Sequence, residues 1–180
     1  MSNSCEDIRF HDFSSRDRLF PDVNFWLYVY GENAPDSNEV KTYSSALKYI
    51  EEVQSELFTN VTVISEFVNR YMKKAWEIHY KNCSGDEYNQ FKRSPEFVLV
   101  AKDAGQTARL ILGKTQTVEI GFGTNVVADL LVAIEQGVRD FNDQIICEVC
   151  LQHQLTLITH DRDFLGCSVH VLTANKNLLH

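Results

Sequence analysis

Asp22, Glu66, Asp143, Asp161 and Asp163 are the residues of this chain whose type and placement can do chemistry together. Their side chains offer only oxygen, the donor that hard divalent cations such as Mg2+ or Mn2+ prefer while keeping several of their waters. A cation held this way can orient and acidify a water and neutralise the oxygens of a phosphodiester. Each acid also has a plainer reading. Asp22 and Asn24 suit a turn or a helix cap, where Asx side chains are favoured. Asp143 can serve the end of a helix, and Asp161 and Asp163 can be loop residues after a strand.

The elements around these acids decide whether they meet. Leu19 to Leu27 reads as a brief strand entering a turn at Asp22 and Asn24, followed by an apolar first helix. From Val61 to Tyr80 the apolar residues Val61, Ile64, Phe67, Val68, Tyr71, Met72, Ala75 and Ile78 keep a helical period, with Thr59 or Asn60 as N-cap. Glu66 falls on the polar face of that helix, with Arg70, Lys73 and Lys74 one and two turns further along. A second helix starts near Asn142 and aligns Ile145, Ile146, Val149 and Cys150, which places Asp143 in its first turn. There the macrodipole favours an ionised carboxylate, and Asp140 or Asn142 is the cap. Leu155 to Thr159 is a short apolar strand, so Asp161 and Asp163 follow its carboxyl end, where open α/β sheets place their sites.

Taken in order, Asp22-Val-Asn24, Ser65-Glu66, Asn142-Asp143 and Thr159-His-Asp161-Arg-Asp163-Phe164 resemble the PIN-domain ribonucleases, and among them the toxin endonucleases of bacterial toxin–antitoxin pairs. The resemblance runs from about Leu19 to about Thr173. It implies a three-layer α/β/α fold and a metal-dependent endoribonuclease that cuts RNA by attack of water. Carried onto this chain, Asp22 and Asp143 are the direct ligands of Mg2+ or Mn2+. Asp161 binds directly or through water, Asp163 lies at the edge, and Glu66 positions a water or a second metal. Asn24 and Thr159 would orient these carboxylates, as residues behind metal ligands do. Arg70, Lys73 and Lys74 read either as a phosphate track or as a solvated face joined by contacts at helical spacing. The toxin subgroup further implies an antitoxin protein and a homodimer as partners.

Other readings use the same acids. A haloacid-dehalogenase-like phosphatase needs Asp-x-Asp after its first strand, where this chain has Asp22-Val-Asn24. A receiver domain needs a second acid beside Asp22 and a lysine after its last strand. An inactive PIN fold acting as a scaffold or binding module would keep the architecture without the cleavage.

Composition sets bounds. The length of 180 residues suits one domain with a real core, and no apolar run approaches the ~20 residues of a membrane span. The start lacks the basic and apolar regions of a signal peptide, and the odd count of 5 cysteines gives no disulfide framework. A reducing cytoplasm is therefore the expected location. Cys147 and Cys150 read as core cysteines, without a second Cys or His pair at zinc spacing. The net charge of -8 disfavours sequence-blind nucleic-acid binding, unless a cation offsets the acids and basic residues cluster, as at Lys92-Arg93.

Strands alternating with helices predict an α/β fold with a mainly parallel central sheet flanked by helices. Residues 1–16 read as a loose polar extension and 17–180 as one domain, with a helical insertion around 83–112. Tyr43 to Leu57 reads as a helix, and Asn82 to Asp86 as a break in the chain. Gly105 clouds the helical stretch between Glu96 and Leu112. Thr117 to Gly121, Leu155 to Thr159 and Ser168 to Leu172 are the later strands, and Asn125 to Gln136 a helix.

Overall fold

The computed structural model describes residues 4–32, 36–81, 87–119, 121, 123–135 and 140–179. Among them six strands form one parallel sheet in the order β1-β6-β5-β2-β3-β4. The strands are β1 (Cys5–Asp7), β2 (Arg18–Pro21), β3 (Glu56–Thr59), β4 (Gln116–Thr117), β5 (Thr156–Ile158) and β6 (Val171–Thr173). The helices are α1 (Val23–Tyr30), α2 (Asn38–Val53), α3 (Val61–Ala75), α4 (Tyr88–Phe91), α5 (Pro95–Lys114), α6 (Thr124–Glu135) and α7 (Phe141–His153). The expected parallel α/β architecture is what the chain adopts.

The central strands are buried on both faces, so they read as short apolar runs rather than alternating ones. Leu19, Phe20, Leu157, Ile158, Val171 and Leu172 are almost wholly enclosed. From β2 the chain crosses by α1 and α2 to β3 on one side, while β5 flanks β2 on the other. The carboxyl ends of β2 and β5 therefore border a crevice at the point where the strand order reverses.

Several boundaries differ from the sequence reading. Leu57 is not the end of the second helix. That helix stops at Val53, where Gln54 turns left-handed at φ 59°, and Leu57 enters the buried strand β3. Its apolar side chain keeps the helical period by coincidence, so periodicity alone could not find the break. Residues 5–7, expected in a loose extension, form the edge strand β1 against β6, with Cys5 opposite Val171. Backbone hydrogen bonds to an open sheet edge do not need apolar side chains. Gly105 leaves α5 unbroken, because its neighbours Ala104, Ala108 and Ile111 anchor the helix in the core. The helix from Val61 ends at Ala75 and continues as one π-helical turn, Trp76–Tyr80. Cys147, read as a free core cysteine, is disulfide-bonded to Cys167, 20 residues on, whereas Cys150 is free and buried. The proposed break at Asn82 to Asp86 lies outside the described residues, as do Ile120 and Gln136.

No helix among the described residues is long and apolar enough to cross a membrane. Residues 87–114 supply α4 and α5; α5 packs along α3, where Asp103 accepts the Tyr71 hydroxyl at 2.5 Å.

Candidate metal centre

Asp22 occupies the junction between β2 and α1. Its backbone N–H donates to the carbonyl of Ile158 in β5 at 2.9 Å, and its Oδ1 accepts the N–H of Phe25 at 3.0 Å, capping α1. The cap reading and the site reading are thus both true of one residue. One oxygen closes the helix, and the other faces Thr159, whose hydroxyl donates to Oδ2 at 2.5 Å. Asp22 is 3% exposed. Burial raises its pKa from the usual 3.8 to about 6, against the lowering pull of Thr159 and the Phe25 N–H, and Asp161 adds a further rise.

Asp161 follows β5 by three residues. Its N–H donates to the Thr159 hydroxyl at 2.9 Å, and its Oδ2 accepts from the Asn24 amide at 3.2 Å. The Asn24 amide also lies 3.5 Å from Asp22 Oδ2, so Asn24 spans both carboxylates. Asn24 and Thr159 therefore sit where residues that orient the acids would sit.

Asp143 stands in the first turn of α7, whose N-cap is Asp140; the Asp140 carboxylate accepts the Asp143 N–H at 2.9 Å. Desolvation raises the Asp143 pKa from 3.8 to about 7, with added repulsion from Asp140, Asp161, Asp22 and Glu66. Four acids from four separate elements thus feel one another. Glu66 reaches in from α3, accepting from Arg70 at 3.3 Å and from the Asn142 amide at 3.4 Å. Arg70 also donates to Asn24 Oδ1 at 2.9 Å, so its guanidinium closes the loop from Glu66 back to Asp22 and Asp161.

Asp163 is placed apart from these four. Its side chain is 64% exposed and lies 3.9 Å from Arg162, while its N–H donates to Asp161 Oδ1 at 3.1 Å. Lys73 and Lys74 are exposed, and with Asn24, Tyr28, Arg70 and Glu77 they line a cleft of about 330 Å3 between α1 and α3. Two residues to which the sequence reading gave no role in the site support the centre. Asn142 holds Glu66, and fully buried Tyr43 of α2 donates its hydroxyl to the Thr159 carbonyl at 3.2 Å while accepting the Ala174 N–H at 3.0 Å. A tyrosine on the apolar face of α2 was the available signal, since a buried phenol needs a hydrogen-bond partner.

The donor set fits a hard cation by its chemistry: oxygens alone, with two carboxyls that burial and, after it, neighbouring acids push up to about 6 and about 7. The acids are not a preassembled shell. Among the described residues, no group of three or more His, Cys, Asp or Glu side chains is close enough to hold a metal ion as they stand. Arg70 meanwhile engages both Glu66 and Asn24.

The PIN domain family model matches residues 19–166. Comparison with curated protein sequences gives no significant match. Among solved structures the fold is similar to VapBC2 from Rickettsia felis bound to a DNA fragment from their promoter, at 12% identity and a TM-score of 0.56, over 86% of this chain and 97% of that one. It is also similar to PAE2754 from Pyrobaculum aerophilum, at 15% identity and a TM-score of 0.53, over 91% and 93% of the two chains. With the match spanning every strand from β2 to β5 and all four coupled acids, the chain belongs to the PIN-domain family, whose members are generally nucleases.

Proposed function

We propose that this protein is a divalent-metal-dependent endoribonuclease whose centre is Asp22, Glu66, Asp143 and Asp161. The observation that carries the reading is the convergence of acids from separate elements on one crevice, tied together by Thr159, Asn24 and Arg70. There burial first, and neighbouring acids second, raise Asp22 to about 6 and Asp143 to about 7. Such a site gains most from a cation. Bound there, Mg2+ or Mn2+ would supply an acidified water and neutralise the phosphate oxygens. Asp22 and Asp143 would hold the ion, with Asp161 beside them and Glu66 turned to it or to a water. Thr159 and Asn24 keep two of the carboxylates aimed, through the bonds at 2.5 Å and 3.2 Å. Arg70, Lys73 and Lys74 would receive the phosphates on either side of the cut.

The toxin reading adds a second protein chain, an antitoxin, that covers this site, and a homodimer as the toxin's own assembly. The structural likeness to VapBC2 supports testing for such a partner. The deciding experiment is cleavage of a mixed RNA pool with and without Mn2+ or Mg2+, beside hydrolysis of a generic phosphate ester. Cutting of RNA alone supports the reading. Hydrolysis of the ester alone favours a phosphohydrolase, and neither activity favours a binding module with an inactive PIN fold.

A further inference from the structure

The four acids account for a cation and the cationic side chains of α3 for phosphates; neither accounts for Tyr28. It lies one turn beyond Asn24 on α1, about 6 Å along the axis, and both side chains line the cleft that also holds Arg70, Lys73 and Lys74. The Tyr28 ring stacks on Tyr43 with centroids 5.4 Å apart and planes 17° from parallel. His160 makes a T-shaped contact with the same ring at 5.3 Å and 73°. Tyr43 is itself fully buried and bonded to Thr159, to Ala174 and to His160 Nδ1, the last at 3.0 Å. Tyr28 is therefore a half-buried ring, packed against two fixed rings, at the border of a cleft beside the acids.

The geometry points to Tyr28, buttressed by Tyr43 and His160, as a stacking platform for one unpaired nucleobase of the strand whose phosphates pass the acids. A ring already fixed by its neighbours loses little freedom when a base stacks on it, and every base offers a π-face. Only a single-stranded or locally opened stretch of the strand can present that face. Charge alone is a weak anchor here. Glu32, held by His79, and Glu77 line the same cleft and offset part of the positive charge of Arg70, Lys73 and Lys74. The platform rests on the ribonuclease reading above and adds to that site a position for one base.

The test uses the full chain carrying Asp143→Asn, to prevent cutting, and a set of single-stranded RNA oligonucleotides with one abasic nucleotide stepped along the strand. The parent should lose about tenfold in affinity when the gap falls at one position, the scale of one stacked base. Tyr28→Ala should lose a similar factor on intact RNA and erase the positional effect, whereas Tyr28→Phe should retain both. A parent that binds RNA with no positional penalty overturns the platform alone, without relying on any Tyr28 variant folding. Tyr28→Phe as weak as Tyr28→Ala would also overturn it, since the hydroxyl and not the ring would then matter. A parent that binds no RNA at all overturns the ribonuclease reading together with the platform.

Discussion

The Thr159 hydroxyl donates to Asp22 Oδ2 at 2.5 Å, across 137 residues of sequence, and its own Oγ1 accepts the Asp161 N–H at 2.9 Å. One buried hydroxyl thus fixes the direction of one site carboxylate and the backbone of the next. Thr159→Val keeps the shape and removes the bond. It should lower unfolding free energy by about 1–3 kcal/mol, because buried Asp22 loses a donor and the Asp161 N–H its acceptor. Thr159→Ser should recover most of that loss. Urea denaturation of the three proteins at one pH measures it, and a valine variant as stable as wild type would show that the bond carries nothing.

The raised carboxyls make stability depend on pH in a set direction. Aspartates in the unfolded chain titrate near 3.8, while Asp22 and Asp143 in the fold titrate near 6 and 7, so the folded protein holds their protons more tightly. The stabilisation they provide is full below about pH 4 and is lost as the pH rises through about 6 and 7. For buried Asp22 the span is on the order of 3 kcal/mol; for half-buried Asp143 solvent reduces it. Asp22→Asn should therefore melt higher than wild type at pH 8 and lose that advantage at pH 4. Comparing variant with wild type cancels the other acids, including Asp7, whose pKa the Arg9 guanidinium holds down.

Metal should act on the same groups. Millimolar Mn2+ should raise the melting temperature by mass action on the folded state, more at pH 8 than at pH 5, where protons compete for the carboxylates. Asp143→Asn should abolish both the rise and RNA cleavage while remaining folded. An unchanged melting temperature in folded wild type would count against a shared cation site.

The basic stripe separates two accounts of one helix face. If Lys73 and Lys74 meet phosphates, Lys73→Gln/Lys74→Gln in the Asp143→Asn background should weaken RNA binding and flatten its salt dependence. If they are only solvated, stability should change by no more than about 0.5 kcal/mol and the salt slopes should coincide. In that case Lys92-Arg93 is the next cluster to test.

Cys147–Cys167 ties α7, which carries Asp143, to the segment that follows Asp161. Denatured protein should therefore show two fewer reactive thiols before reduction than after it. Reduction should lower stability by about 2–4 kcal/mol. Equal thiol counts would mean that the two cysteines are merely neighbours in the core.

The sequence by itself determined the helices and strands that bear the acids, because each is set by local signals. Asp22 was legible as a turn or cap residue after a strand, and the caps of α3 and α7 narrowed to Thr59 or Asn60 and to Asp140 or Asn142. In the fold Asp22, Asn60 and Asp140 accept the N–H three residues on. Alternation of strands and helices sufficed for the parallel sheet. Strand β3 escaped because a four-residue buried strand carries no alternation, and Leu57 happened to extend the period of α2. Strand β1 escaped because its partner, β6, lies at the far end of the chain. Only the tertiary structure decided which acids converge. Asp161 and Asp163 are two residues apart, yet the Asp161 carboxylate bonds Asn24 while the Asp163 carboxylate is mostly exposed beside Arg162, since the turn Arg162–Phe164 buries Phe164 and directs its neighbours outward. Arg70 and Asn24, 46 residues apart, meet because α1 and α3 pack together. Tyr28, Tyr43 and His160 form their aromatic group for the same reason: three elements share one side of the sheet's carboxyl edge, and no spacing within any one of them records it.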